Sequence, residues 1–335
     1  MPLATALRPL PCGPRRVLLL GASGTIGRAT LQALLRDGHT VVCLARAGSP
    51  ASLGDACSTG AAWRRVDLQD AASVSREGLR GEPFDAVVSC MASRTGTPSD
   101  AWAVDHRAHL QVLQAAMAAG VPQMVLLSAI CVQKPQLAFQ QAKLAFERAL
   151  IESGLTYSIV RPTAFFKSLV GQIGRVQRGK PFVLFGDGRQ TACKPISDTD
   201  LADFIVRCLQ DASRHNRILP IGGPGPAITP REQGERLFAL LGRQPRFTEL
   251  PLALMDAVVG ALSLLGRVLP PLRDKAELAR IGRYYATESM LWLDPASGRY
   301  DADATPSTGS QTLFDHYADI LGGRAQVERG AHSVF

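Results

Sequence analysis

The chain has 335 residues, 46% of them hydrophobic and 20% charged, with a net charge of +8. That composition suits one large α/β domain or two closely joined ones, long enough to bury a core without disulfide or metal support. The positive balance favours anionic ligands such as phosphates and carboxylates; no Lys/Arg block and no reader motif points to nucleic acid.

Residues 1–15 carry some basic side chains but no apolar signal core, and are neither long nor Ser/Arg-rich enough for a transit peptide. They read as a short disordered lead-in to a cytoplasmic protein. From residue 16 to 163, brief apolar runs alternate with helical ones. VLLL (17–20), VVCL (41–44), FDAVVSC (84–90), MVLLS (124–128) and YSIV (157–160) are strands buried on both faces, as in a parallel sheet covered by helices. The stretches TIGRATLQALLRDG and WAVDHRAHLQVLQAAMAAG are long enough for crossover helices. Each closes on a glycine, Gly38 and Gly120, where a left-handed cap fits. The fold class is α/β: a doubly wound parallel sheet of the Rossmann type.

After Arg161 the alternation loosens. Residues 164–335 form a smaller C-terminal substrate lobe, with 195–222 returning to the sheet. Thr229-Pro230-Arg231-Glu232 has the form of a capping box opening a helix over 230–241. The segment 250–272 has an uncharged core only from Ala257 to Gly266, too short to span a bilayer. It reads as a buried helix, or one lining an apolar substrate pocket, with peripheral membrane contact as the alternative. The seven cysteines, an odd number without a CxxC, suit buried thiols in a reducing compartment, and no metal site is read.

The strongest motif is 17-VLLLGASGTIGRATLQALL-35. Gly21, Gly24 and Gly27 follow a strand and open an amphipathic helix, with Ser23, Thr25 and Ile26 between them. The first glycine permits the tight turn, the second a close approach of backbone to a pyrophosphate, and the third close packing of helix on sheet. The helix N-terminus adds partial positive charge for the phosphates. The second strand ends without the acid that binds an NAD ribose and offers Arg46, which suits a 2′-phosphate; the cofactor is therefore NADPH. Arg28 assists or faces solvent. Asp67 and Leu68 follow a third strand on the adenine side, and Ser89, Cys90 and Met91 end the fourth strand towards the nicotinamide.

Ser128 ends the fifth strand, and 137-LAFQQAKLAFERAL-150 reads as a helix with Lys143 four residues after Phe139. Together with the glycine motif, these positions resemble the short-chain dehydrogenase/reductase superfamily in its atypical or extended branch. There a serine ends this strand and a Tyr-x-x-x-Lys lies on this helix; here Phe139 stands at the tyrosine position. The segments 128–147, 155–169, 185–205, 282-GRYYATESMLW-292, 312-TLFDHYADIL-321 and the terminal HSVF resemble the NADPH-dependent 8-vinyl reductases of divinyl chlorophyllide.

That resemblance implies reduction of an 8-vinyl to an ethyl group on divinyl chlorophyllide or protochlorophyllide, in (bacterio)chlorophyll biosynthesis. The absence of the plant members' transit extension points to a bacterial member. The missing hydroxyl is consistent with this chemistry. A carbonyl reductase needs an acid aimed at the developing oxyanion, whereas a vinyl group conjugated to a tetrapyrrole spreads charge over the macrocycle. The resemblance gives Lys143 the catalytic role of holding the ribose hydroxyls, against the alternative of an exposed lysine paired with Glu147. Arg161, Pro162 and Thr163 flank the nicotinamide. Phe139, Phe165 and Phe166 suit the flat substrate, with Phe139 equally readable as a core residue. Tyr157, Lys134, Lys167, Lys194 and water stand open as sources of the proton. The rival readings are another NADPH-dependent double-bond reductase or isomerase, and a non-catalytic NADPH-binding regulator or structural subunit.

Overall fold

The computed structural model describes residues 10, 13–46, 60–269 and 271–326. Most of the expected N-terminal lead-in and the terminal HSVF lie outside those residues, as do Cys12 and Cys57. Strands β1 (Arg16–Leu20), β2 (Thr40–Arg46), β3 (Ala62–Val66), β4 (Ala86–Ser89), β5 (Gln123–Leu127) and β6 (Thr156–Pro162) follow in chain order, with helices described between β1 and β2 and between each pair from β3 to β6. Strand β7 (Phe182–Phe185) pairs outside this sheet with β9 (Phe247–Leu250), and β8 (Arg217–Ile221) returns to it. The main sheet has seven strands in the order β3-β2-β1-β4-β5-β6-β8, and every pairing in it is parallel.

The reason for the parallel layers is visible along β1. Val17 and Leu19 face one hydrophobic cluster with Ile26, Leu34, Leu201 and Ile205. Leu18 and Leu20 face the other, with Val42, Leu44, Val112 and Phe146. All four β1 side chains are fully buried. A strand read from both sides needs a continuous apolar run, and burial of each such side chain contributes roughly 1.5–3 kcal/mol. Helix α1 (Thr25–Arg36) and the helix Asp198–Arg207 cover the first face. The helices around His109–Ala118 and Ala138–Glu152 cover the second. Gly38 and Gly120 both have positive φ, 81° and 69°, as helix-ending glycines require.

Strand order reverses between β1 and β4. In open α/β sheets the crevice beyond the carboxyl ends of two such strands is where ligands bind. The C-terminal segments pack at that same edge. Thr229 caps the helix Pro230–Leu240 through a reciprocal box with Glu232.

The expectation of a buried helix within 250–272 is overturned. The helix Leu252–Leu265 has no buried residue, and it does not line the pocket beside the glycine turn. Leu254, Leu264 and Leu265 are 52%, 63% and 50% exposed, and Val268 reaches 80%. It is tied to the following helix Pro271–Thr287 by polar contacts: Arg283 to Asp256, Arg280 to Ser263 at 2.9 Å and Arg273 to the Gly266 carbonyl at 2.9 Å. A short uncharged run records only that charge is avoided. Whether a helix is covered depends on what else reaches it, and here that is chiefly one neighbouring helix. Among the described residues no helix is long and apolar enough to cross a membrane.

Candidate functional site

The turn after β1 is built by close approach. Gly21 has φ +74°, and a Cβ there would lie 2.7 Å from the backbone of Cys90 and Met91 at the end of β4. A Cβ on Gly27 would lie 2.0 Å from the Gly21 carbonyl oxygen. Side chains at either position would force the turn, the helix and the strand end apart. Gly24 donates its N–H to the Gly21 carbonyl at 3.0 Å and caps α1 without any side-chain hydrogen bond. The first helical turn thus has no capping side chain, an arrangement suited to an anion at a helix N-terminus. Ser23 and Gly24 are exposed, Thr25 is half-buried, and Ile26 points into the core. Arg28 closes the turn by donating to the Ser23 carbonyl at 3.0 Å. Lys167 arrives from the far lobe and donates to Thr25 Oγ1 at 3.1 Å.

Beside this turn lies a pocket of about 310 Å³, lined by Arg46, Asp67, Leu68, Gln69 and Met91, with Val66, Val104 and Ala108 completing its wall. Four of the residues singled out in the sequence come together there from the ends of β2, β3 and β4, on either side of β1. Arg46 is exposed at its rim. Asp67 accepts from the Gln69 amide at 2.9 Å. Cys90 lies under the turn against Thr30 Oγ1 at 3.4 Å, and burial pushes its thiol up to about 11, so it is a filler rather than a nucleophile.

Ser89 is fully buried and pairs with His109 Nε2 at 2.8 Å, while His109 Nδ1 meets the Val104 carbonyl at 2.8 Å. A carbonyl only accepts, so Nδ1 carries the proton and Nε2 accepts from the serine hydroxyl. Burial lowers the His109 pKa to about 4, which keeps this neutral tautomer in place.

Lys143 does not pair with Glu147. Its Nζ donates to Asp105 Oδ1 at 2.9 Å, across 38 residues, and the aspartate is 1% exposed. Asp105 stands in a π-helical turn, Trp102–Ala108, that opens the helix above β4. Such turns occur often at functional sites because they redirect a side chain. Asp105 also accepts from the Ser93 amide at 3.2 Å. One Lys143 N–H is committed to Asp105, which holds the side chain in position. Sequence reasoning missed Asp105; the only trace was an acid within an otherwise mostly apolar helix, WAVDHRAHL.

Glu147 instead binds Ser128 and Arg161. Ser128 Oγ donates to Glu147 Oε1, and the Arg161 guanidinium forks onto both carboxylate oxygens. Ser128 and Arg161 therefore clamp the ends of β5 and β6 to the site helix. Pro162 is buried, and Thr163 donates its hydroxyl to the Lys194 carbonyl and its N–H to that of Ile221. Phe139 is 9% exposed inside the cluster that joins the two lobes. Phe166 is buried against His316, ring centroids 5.3 Å apart, and Phe165 is half-buried.

Most of the proton-donor candidates are committed elsewhere. Lys134 pairs with Glu288 at 2.7 Å, and Lys194 is buried on the Thr305 carbonyl at 3.1 Å. Tyr157 lies near the start of β6, the end of the sheet away from the turn.

The Lys143–Asp105 pair is buried, so breaking it on one side leaves an uncompensated charge. Lys143→Met is expected to cost about 3–5 kcal/mol in a urea unfolding titration, most of it recovered in the Lys143→Met/Asp105→Leu double variant. Equal loss in single and double variants would show that the pairing is not what holds this region.

The NAD(P)H-binding family matches residues 21–212. A maize protein named divinyl chlorophyllide a 8-vinyl-reductase, chloroplastic, is 48% identical over 99% of this chain and 86% of its own length. An Arabidopsis thaliana protein of the same name is 46% identical over 91% of this chain and 76% of its own. Among solved structures, an NADPH-dependent quinone oxidoreductase from Escherichia coli superposes with TM-score 0.65. It is 19% identical, and the match covers 91% of this chain and 99% of that one.

Proposed function

The chain belongs to the divinyl chlorophyllide a 8-vinyl-reductase family, and on that premise we propose the following reading of its chemistry. The protein is an NADPH-dependent oxidoreductase that reduces the 8-vinyl group of divinyl chlorophyllide to ethyl, a step of chlorophyll biosynthesis. The observation that carries this is the 48% identity along 99% of the chain. The site chemistry supports it. A buried, hydroxyl-free Phe139 one turn from a fixed lysine suits a reaction with no oxyanion to protonate. A purely regulatory or structural role is not favoured, because the relatives matched along nearly the whole chain are reductases by name.

The residues present fit NADPH. The cradle has no room for a Cβ at Gly21 against the end of β4 or at Gly27 against the Gly21 carbonyl, and the first turn of α1 has no capping side chain. Ser23, Gly24, Thr25 and Ile26 would meet the pyrophosphate with backbone amides, and Lys167 would add a charge. Arg46 would hold the 2′-phosphate, with Asp67, Leu68 and Met91 around the adenine. Ser89, Cys90, Arg161, Pro162 and Thr163 would wall the nicotinamide end, and Lys143 would hold the ribose hydroxyls. When bound, NADPH supplies the hydride. Holding the reacting groups in fixed orientation is what these side chains contribute to rate. Residues 164–335 would supply the substrate lobe, with Phe165 and Phe139 nearest the macrocycle. Arg46→Ala is expected to weaken NADPH by tenfold or more, on the order of a lost charged hydrogen bond, and NADH hardly at all, read by fluorescence titration. Equal weakening would remove the 2′-phosphate role.

The exposed helix Leu252–Leu265 is proposed to rest on an anionic membrane surface. Leu254, Val258, Ala261 and Leu265 share one face by helical spacing, and Arg267, Arg273, Lys275 and Arg280 are exposed around it. Apolar area ringed by bases favours anionic lipid headgroups. Flotation with phosphatidylglycerol vesicles should carry the protein up, and Leu254→Asp/Leu265→Asp should leave it at the bottom. Unchanged flotation of that variant would place the contact elsewhere.

The deciding experiment is incubation of purified protein with NADPH and divinyl chlorophyllide a, with the pigments separated and their spectra read. Monovinyl product is expected. Folded protein that binds NADPH but yields none would overturn the assignment.

A further inference from the structure

The segment GRYYATESMLW has no role in the site as described so far. Its two adjacent tyrosines lie on the helix Pro271–Thr287, which packs over the site from the C-terminal lobe. Glu277, on the same helix and 5% exposed, accepts from the amide of Ala138 at 3.4 Å, so this helix abuts the start of the site helix Ala138–Glu152.

The chain has five tyrosines, and four are placed for other tasks. Tyr284 is 3% exposed and donates to the carbonyls of Cys131 and Lys134 at 2.9 and 3.1 Å. Tyr300 donates to Glu288 at 2.8 Å, and Tyr317 to the Leu169 carbonyl at 2.7 Å. Tyr157 packs against the sheet core near the start of β6. Tyr285 differs. Its hydroxyl reaches inward to Cys131 Sγ at 3.9 Å, a weak sulfur contact, while the residue as a whole is 43% exposed.

Cys131 lies in the short turn Ile130–Gln133, just past the end of β5, at the ligand edge of the sheet. It shares a hydrophobic cluster with Leu137, Phe139, Ala142 and Tyr284. Gln140 on the site helix donates to its carbonyl at 3.1 Å. The thiol also feels the Lys143 charge. Cys131 thus links Phe139, in the same cluster, to the Tyr285 hydroxyl.

We infer that Tyr285 is the proton donor of the vinyl reduction, supplying from the C-terminal lobe the hydroxyl that position 139 of the site helix lacks. This rests on the vinyl reduction proposed above. The step balances as follows. One C–H bond forms from the hydride that NADPH supplies, the vinyl π bond breaks, and its electron pair spreads into the conjugated macrocycle. The second C–H bond forms as the Tyr285 O–H bond breaks. The phenolate then regains a proton from water. One NADPH and one proton are consumed, and NADP⁺ and the ethyl product are released. Burial of the hydroxyl raises its pKa well above the ordinary value, so the proton is in place at neutral pH, and a substrate carbanion is basic enough to take it.

Tyr285→Phe preserves the ring and removes only the hydroxyl. Its kcat is expected to fall about 100-fold or more, the range of a lost general acid, with NADPH affinity by fluorescence titration and the melting temperature near wild type. Tyr300→Phe serves as the control and should keep the wild-type rate. Replacing Tyr285 with fluorotyrosines, which keep ring and hydroxyl, should give rates that follow the acidity of the phenol. A wild-type rate in Tyr285→Phe would overturn the inference, as would fluorotyrosine rates indifferent to phenol acidity. If Tyr285→Phe does not fold, the fluorotyrosine series decides alone. Wild-type protein that fails to convert the pigment would instead overturn the functional reading, and this inference with it.

Discussion

A methyl group placed on residue 27 would fall 2.0 Å from the carbonyl oxygen of Gly21, well inside contact distance. That closeness sets the geometry of the whole nucleotide end. It draws the first turn of α1 against the loop leaving β1. It also leaves Gly21 in a left-handed conformation, pressed on Cys90 and Met91 where β4 ends. Because strand order reverses between these two strands, the crevice they frame is of the kind in which phosphates meet the backbone amides of a helix N-terminus. The buried leucines of β1 hold the turn at that height. Their two faces belong to two separate cores, so the strand cannot shift without disturbing both.

Beyond this fixed turn, with Arg46 exposed at the pocket rim, two buried charge pairs form behind the site. Lys143 is bound to a buried aspartate from a π-helical turn, and Glu147 joins Ser128 and Arg161 across the ends of two strands. His109 is kept neutral by burial and by satisfied ring nitrogens. Each arrangement offsets the cost of taking a charge or polar group out of water with a specific partner. The result is a site whose lysine position is determined by side chains outside the Phe-x-x-x-Lys spacing. It also explains how a superfamily serine position can be occupied while its hydroxyl serves the scaffold, since Ser128 is spent on Glu147.

Several features of the fold were legible because their causes are local. Short apolar runs marked strands covered on both sides, and all five such runs contribute strands to the parallel sheet. Gly38 and Gly120 ended helices because few other residues adopt positive φ there. The segment 250–272 was misread for a reason of the same kind. Its lack of charge is a local property, but whether it is covered depends on what packs against it. The π-helical turn at Trp102–Ala108 was likewise invisible, since its residues carry an ordinary helical pattern.

The amino-acid sequence by itself determined the α/β class, the glycine turn and an exposed arginine in place of an acid at the end of β2. Backbone freedom, apolar periodicity and a single charge act within a few residues and can be read there. Tertiary structure alone decided which groups meet at the chemistry. Asp105 reaches Lys143 across 38 residues, and Tyr285 reaches Cys131 across 154. The first contact joins two helical segments packed on one face of the sheet, the second brings a C-terminal helix onto the turn after β5, and no local pattern records either meeting.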